Sequence, residues 1–195
     1  MPPRATPLPP TERRDALVRA TLPLLRQHGR AVTTRQIAAA AGVAEGTIFR
    51  VFESKEQLVD EAIAKAFEPG SFLPQLDDLD DTLPFRDRMV ALVALLQRRF
   101  LDTFDLMRAV GLVAPPHRDK RSAELERFRR EIAERMVVLV GTDARRLRVP
   151  PDEFVHVLRL LTFSASHREI ADGRLLTPDE IVGIVLDGVL IERGD

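Results

Sequence analysis

The chain has 195 residues, of which 45% are hydrophobic and 30% charged, enough for one large or two small globular domains. It contains no cysteine, which excludes disulfides, zinc–thiolate sites and cysteine nucleophiles. No apolar run reaches the ~18 residues that a bilayer-spanning helix needs, so we expect a cytoplasmic protein without a membrane partner.

The net charge of −1 conceals an uneven distribution. Residues 1–50 contain eight arginines and three acidic residues, whereas residues 68–195 contain 19 basic and 23 acidic residues. A basic N-terminal end on an otherwise acidic chain favours contact between that end and a polyanion. An arginine-rich helix face that is only solvated has the same composition, so charge alone does not decide whether this end binds a polyanion.

Strand signals are nearly absent and Ala, Leu, Arg and Glu dominate, so we predict an all-α chain. Residues 1–10 include five prolines and are expected to form a disordered arm. The first helix is predicted from Thr11 to His28, because apolar residues recur there at helical spacing and Gly29 follows as a terminating residue.

Short helical segments follow the first helix. The letters "TTRQ" predict a second helix over 34–41 with a capping box, and Gly42 breaks it. A third helix is predicted over 45–52, and a fourth over 55–67 with Ser54 as its N-cap. Two short helices joined by a tight turn that contains glycine are typical of a helix-turn-helix.

A stretch rich in Pro, Gly and Asp, near residues 68–84, predicts the boundary between an N-terminal domain at 11–67 and a C-terminal domain at 68–195. Beyond this stretch, the predicted helices cover residues 85–99, 102–113, 118–140, 151–171 and 177–192.

The third helix has one face suited to a core and another suited to a ligand. Ile48 and Phe52, spaced i and i+4, are predicted to anchor it to its own domain. Gly46, Thr47 and Arg50 then point away and are small or polar enough to enter a major groove.

The segment "TTRQIAAAAGVAEGTIFRVFESKEQL" resembles the DNA-binding domain of the TetR family of bacterial transcriptional regulators. The resemblance covers about residues 11 to 67 and rests on Thr-Thr, Ala-Gly-Val, Gly-Thr-aliphatic-aromatic-x-x-Phe and Ser-Lys-Glu. It implies an N-terminal three-helix helix-turn-helix domain, joined by a fourth helix to a C-terminal helical ligand-binding and dimerisation domain.

The resemblance also implies roles for particular residues. Thr34 matches a position that bonds a phosphate, and Arg35 one that can reach a base edge such as guanine. Gly46 and Thr47 match the start of the recognition helix, where close approach to DNA is needed. Lys55 matches a basic residue that holds a phosphate at a helix N-terminus.

The sequence departs from the family pattern at several of these positions. Phe49 stands where tyrosine is usual, so a phosphate-bonding hydroxyl is missing. Val51 stands for a frequent histidine and suits a thymine methyl, whereas Glu45 suits cytosine N4. Ala44 replaces a common serine and loses a helix cap. Together with Arg50, Phe49, Val51 and Glu45 complete the predicted DNA contacts.

The C-terminal helices are expected to pair with a second copy of the chain. Residues 154–163 are apolar on nearly every side, and the last helix repeats this pattern with two glycines. A thick monomeric core is the alternative. The predicted interface residues are Phe154, Leu158, Leu161, Ala165, Ile181, Ile184, Val185 and Gly188.

The resemblance implies a small-molecule pocket in the same domain, and the scarcity of charges favours an apolar or aromatic ligand. The same residues at helical spacing are also typical of a plain core. The candidate lining residues are Phe72, Met89, Phe100, Phe104, Met107, Phe128 and Met136.

We therefore predict a dimeric, sequence-specific DNA-binding regulator, a repressor released from a near-palindromic operator by a small ligand. The alternatives are an effector-independent regulator or activator, and a small-molecule-binding protein or enzyme with a vestigial DNA-binding domain. Catalytic motifs are missing, and no cofactor is expected. His156 and His167 lie ~16 Å apart by helical rise and cannot share a metal.

Overall fold

The computed structural model describes residues 9–68, 70, 72–113 and 122–189, and the regular elements in these ranges are all helical. This confirms the predicted fold class. Of the predicted arm, residues 1–8 lie outside the described ranges, and Pro10 already begins the first helix. None of the helices in the described ranges combines the length and the hydropathy that a membrane span requires.

The described residues divide into two compact units. The first contains those of Met1–Glu68 and Asp105–Pro116, and the second those of Pro69–Phe104 and His117–Asp195. The division after Glu68 falls beside the predicted boundary. The predicted domains do not anticipate that residues 105–113 belong to the first unit.

The first unit contains α1 (Pro10–His28), α2 (Thr34–Ala41) and α3 (Lys55–Ala66). Two 3-10 helices complete it, Gly29–Ala31 and Glu45–Arg50. We call Glu45–Arg50 the recognition segment. It lies where a longer third helix is predicted.

Local hydrogen bonds explain where α2 begins and ends. Thr33 accepts a hydrogen bond from the Gln36 backbone N–H at 3.2 Å, and Gln36 Oε1 accepts one from the Thr33 backbone N–H at 2.8 Å. Gly42 then takes a left-handed conformation with φ of 67°, which ends the helix without the steric cost of a Cβ. The expected capping box and glycine stop are therefore present.

Residues from the end of a later helix complete the core of the first unit. Leu106 and Val110 are buried in the same cluster as Leu17, Ile37 and Phe52. A Cβ at position 29 would lie 2.2 Å from the carbonyl oxygen of Ala109, and the Gly29 φ is +55°. Position 29 therefore requires glycine for both space and backbone conformation.

The second unit is built on five α-helices and one 3-10 helix. The structure differs from the prediction at one long helix. Two helices are predicted over 85–99 and 102–113, but α5 runs unbroken from Phe85 to Val110. No Gly or Pro occurs within it, so nothing interrupts its backbone hydrogen bonds. The elements are α4 (Phe72–Asp77), α5 (Phe85–Val110), α6 (Ser122–Val140), the 3-10 helix Gly141–Arg146, α7 (Pro151–Ser166) and α8 (Pro178–Val189).

Arg88 fastens the start of α5 to the end of α6. Its side chain is 9% exposed, and its Nη2 lies 2.8 Å from Asp143 Oδ2. The four other donated bonds go to backbone carbonyls: from Nε to Leu139 at 2.7 Å, from Nη1 to Asp81 and Leu83 at 2.9 Å each, and from Nη2 to Val140 at 3.4 Å. The guanidinium therefore adds charged hydrogen bonds to carbonyls at the C-terminal end of α6.

Candidate functional site

The recognition segment has an inner face and an outer face. Ile48 is fully buried, and Phe52, just after the segment, is 2% exposed, so both lie in the core of the first unit. Phe49 is 56% exposed, and Gly46 and Arg50 are also exposed. The exposed residues therefore form a surface that the core holds from behind.

Val51 lies on the inner side. It is half-buried and packs against the core of the first unit, although a DNA contact is predicted for it. In a 3-10 helix residues three apart share a face, so the turn that buries Ile48 also directs Val51 inward. Thr47 is half-buried at the outer edge, and its backbone N–H donates to the carbonyl of Ala44 at 2.8 Å.

Arg14 on α1 holds the end of the recognition segment in place. Its Nε donates to Glu61 Oε1 on α3 at 2.7 Å, its Nη2 donates to Glu61 Oε2, and its Nη1 donates to the Val51 carbonyl at 3.1 Å. The guanidinium also lies 4.3 Å from the centre of the Phe52 ring. The hydrogen bond to Glu61 raises the pKa of Arg14.

Glu45 is bonded within the protein. The Thr34 hydroxyl donates to Glu45 Oε1, which joins the first turn of α2 to the start of the recognition segment. A Thr34 hydroxyl that bonds a phosphate would first have to leave this carboxylate. The contact also keeps a negative charge among the predicted DNA contacts.

Two arginines exposed on this surface have no side-chain partner among the described residues. Arg35, in the first turn of α2, and Arg50 make no hydrogen bond or ion pair with the part of the chain that the structure describes. Lys55 differs, because its Nζ donates to the carbonyl of Arg30 at 3.3 Å and lies 3.8 Å from Glu56 Oε1. Arg35 and Arg50 can therefore meet an acceptor without losing an internal bond.

The predicted dimer residues divide between the core and the surface. Phe154, Leu158 and Ile181 are fully buried in the second unit itself, and Ala165 and Val185 are 5% exposed. Leu161 is half-buried, whereas Ile184 and Gly188 are exposed. Buried residues of this set have no area left for a partner.

An apolar surface nevertheless covers the outside of α7 and α8. Val157, Leu160, Phe163 and Ile184 are large hydrophobic residues that are at least 40% exposed. Beside them, Leu161, Ser164, Val185 and Gly188 help to line a shallow groove of about 420 Å³.

The predicted ligand residues are divided between the two units. Phe72, Met89, Phe128 and Met136 belong to the close-packed core of the second unit, and Met107 belongs to the first unit.

Phe100 and Phe104 belong to an aromatic cluster at the ends of α5 and α7. The Phe104 ring meets Phe163 at 5.0 Å and His167 at 4.6 Å between centroids, both edge to face. Phe100 lies 5.3 Å from Phe163. The buried Nδ1 atom of His167 has no hydrogen-bond partner among the described residues. The sequence predicts Phe100 and Phe104 as ligand residues. It does not predict Phe163 or His167, because the family resemblance carries no motif in that part of the chain.

The N-terminal geometry defines a helix-turn-helix DNA-binding protein, in which α2 and the recognition segment meet around Gly42. Residues 17–62 match the family model described as bacterial regulatory proteins, tetR family. This match assigns the N-terminal domain of the chain to the tetR family of bacterial regulatory proteins.

Comparisons with individual proteins agree with this assignment. The chain is 39% identical over 59 residues to the HTH-type transcriptional repressor KstR2 of Mycolicibacterium smegmatis, a match that spans 30% of this chain and 29% of that protein. The fold resembles a TetR-family transcriptional regulator from Agrobacterium tumefaciens, with a TM-score of 0.61 and 14% identity over 94% of this chain and all of that one.

A second solved structure with this fold is NalD, the secondary repressor of the MexAB-OprM multidrug efflux pump in Pseudomonas aeruginosa. Its TM-score is 0.50 and its identity 19%, over 94% of this chain and 98% of NalD.

Proposed function

We propose that the chain is a dimeric, sequence-specific transcriptional repressor that binds a near-palindromic operator. The observation that carries the proposal is the anchored recognition segment, which presents Gly46, Thr47 and Arg50 outward beside the free guanidinium of Arg35. Repression is favoured over activation because KstR2, which is similar to the N-terminal part of this chain, is named a transcriptional repressor.

Sequence reading is assigned chiefly to Arg35. Its side chain is exposed and has no partner in the described part of the chain, and a guanidinium can donate two hydrogen bonds to the O6 and N7 atoms of guanine. Gly46 permits close approach of the backbone, and Thr47 and Arg50 supply further donors.

Phosphate binding is assigned to Thr34 and Lys55, which lie in the first turns of α2 and α3. The free backbone N–H groups of a helix N-terminus favour an anion at these positions. Phe49 contributes contact with sugar, because its exposed ring carries no hydroxyl. Glu45 repels phosphate in general and accepts a hydrogen bond where cytosine N4 is present.

The dimer is proposed to form through the exposed apolar surface of α7 and α8. Val157, Leu160 and Ile184 supply hydrophobic area, and Ser164 and Gly188 allow close helix approach. The same surface on a second copy would complete a two-fold interface. Two copies then place two recognition segments on successive half-sites of the operator.

The effector is proposed to be a small apolar or aromatic molecule that binds at the aromatic cluster of Phe100, Phe104, Phe163 and His167. The unpartnered Nδ1 of His167 would give such a ligand one hydrogen bond. Release from DNA requires a coupling of ~1–3 kcal/mol between the two sites. An effector-independent regulator would bind DNA with the same affinity at every ligand concentration.

The test begins with selection of bound duplexes from a random pool, followed by fluorescence anisotropy on the enriched sequence and on random DNA. Arg35→Ala should lose about 1–3 kcal/mol on the enriched sequence and little on random DNA. Lys55→Ala should weaken both and lower the salt slope by about one. Arg148→Ala, an exposed arginine of the second unit, is the matched control.

Equal affinity for enriched and random DNA contradicts a sequence-specific regulator. Identical behaviour of the Arg35 and Lys55 variants contradicts the division between base reading and phosphate binding. A reporter gene placed behind the enriched sequence separates repression from activation. A vestigial DNA-binding domain would give no enrichment at all.

A further inference from the structure

A groove of about 380 Å³ runs between α6 and α7 in the second unit. This volume lies in the range of small-molecule sites. Arg129 and Arg159 line it, and Asp152 lies about two helical turns, roughly 10 Å, before Arg159 on α7. Met136 and Val155, both buried, also line the groove. The groove therefore has a basic end, an acidic end and an apolar floor.

The basic end of the groove brings two arginines together, and one of them, Arg159, has no acidic partner among the described residues. Arg159 is half-buried and makes no hydrogen bond or ion pair with the part of the chain that the structure describes. Among the described residues, Arg129 pairs only with exposed Glu126 on its own helix, at 3.2 Å. Burial lowers the pKa of Arg159, and the charge of Arg129 lowers it further. An unpaired, partly desolvated guanidinium destabilises a fold unless an anion joins it.

We propose that this groove binds a small monovalent carboxylate, held between Arg129 and Arg159. A guanidinium offers a planar pair of donors that matches the two oxygens of a carboxylate. Asp152 and Glu153 at the other end repel ligands with several negative charges, so nucleic acid and polyphosphates are disfavoured. The floor accepts a small apolar body attached to the carboxylate.

No residue that lines this groove belongs to the apolar surface of α7 and α8 or to the surface proposed to bind DNA. Asp152, Val155, His156 and Arg159 follow helical spacing along one side of α7. On α7, Leu160 and Ser164 of the apolar surface are turned from the mean direction of these four residues by about 90° and 130°, at about 100° per residue. Binding is measured without DNA, so its failure and the failure of the proposed function are distinguishable.

The test is calorimetric titration of the full chain with benzoate at constant ionic strength, with uncharged benzamide as the matched ligand. Benzoate should bind and benzamide should not. Arg159→Gln and Arg129→Gln should each weaken benzoate binding by on the order of tenfold. Asp152→Asn should strengthen it. Arg130→Gln, an exposed neighbour on α6, should leave it unchanged.

A thermal unfolding measurement guards against variants that merely fail to fold. Arg159→Gln should unfold at a higher temperature than the parent without ligand, because it removes an unpaired, partly buried charge. Benzoate should raise the unfolding temperature of the parent more than that of this variant. Lower stability of ligand-free Arg159→Gln would instead indicate a structural role and would overturn the proposal.

Three further results would also overturn it. Equal binding of benzoate and benzamide would indicate an apolar site without anion recognition. Tighter binding of inorganic phosphate than of benzoate would contradict the carboxylate assignment. An equal loss in Arg130→Gln and Arg159→Gln would indicate diffuse surface attraction.

Discussion

Replacing Arg88 by methionine removes a guanidinium that donates five hydrogen bonds inside the second unit. Methionine has a similar length and fills the space, so little of the loss comes from a cavity. The carbonyls of Leu139 and Val140 lose this donor, and the carboxylate of Asp143 keeps only its pair with Arg146 among the described residues. Removal of one member of a buried ion pair costs about 3–5 kcal/mol, and we expect a loss of this size.

Urea unfolding followed by circular dichroism measures the loss, because the chain has neither Trp nor Tyr for a fluorescence assay. A loss of about 3–5 kcal/mol should lower the transition midpoint of the second unit by at least about 1 M. Arg86→Met changes an exposed arginine two residues earlier on α5 and should alter stability by less than about 0.5 kcal/mol.

A loss under about 1 kcal/mol in Arg88→Met, or equal losses in the two variants, would refute the reasoning, because buried charged hydrogen bonds each contribute more than this when they are broken. Arg88→Lys should recover part of the loss, since an ammonium keeps the charge and reaches fewer of the acceptors.

Three other predictions concern the surfaces and one helix end. Ile184→Glu, at a position 55% exposed, should shift the protein from dimer to monomer in sedimentation, whereas Ile170→Glu, equally exposed outside α7 and α8, should not. Phe49→Tyr should tighten binding to enriched and random DNA alike, by about 1 kcal/mol in anisotropy, and a gain on one sequence only would contradict phosphate contact. Hydrogen bonds from the Thr177 backbone and hydroxyl lower the pKa of Glu180. The stabilisation that ionised Glu180 supplies should therefore be fully present above the ordinary glutamate pKa of about 4.3, and should be lost as the pH falls through the lowered pKa. Carbon-13 NMR of the carboxyl checks this, and Thr177→Ala should move the midpoint only part of the way back, because the backbone N–H remains.

Sequence reasoning succeeds where the signal is local. Thr33, Gln36 and Gly42 lie within ten residues of one another and determine both ends of α2. The role of Arg14 could not be predicted, because its partner Glu61 is 47 residues away and nothing in either local pattern indicates the pairing.

The recognition segment shows a second limit. The sequence predicts a short helical segment with an apolar face, but it does not predict the 3-10 geometry. That geometry turns Val51 inward. In the second unit, Phe154 and Leu158 share an apolar pattern with exposed Leu160. Packing partners from other helices decide which of these residues remain on the surface.

The first unit is discontinuous along the chain, and this affects its synthesis on a ribosome. Residues 17–62 carry the family signature, but Leu106 and Val110 fill part of the same core and Ala109 closes over Gly29. The nascent N-terminal segment must therefore wait for more than 40 further residues, a delay of several seconds at about 5–20 residues per second. During this interval the apolar side of α1 and α3 remains incompletely covered, and a chaperone has time to bind it.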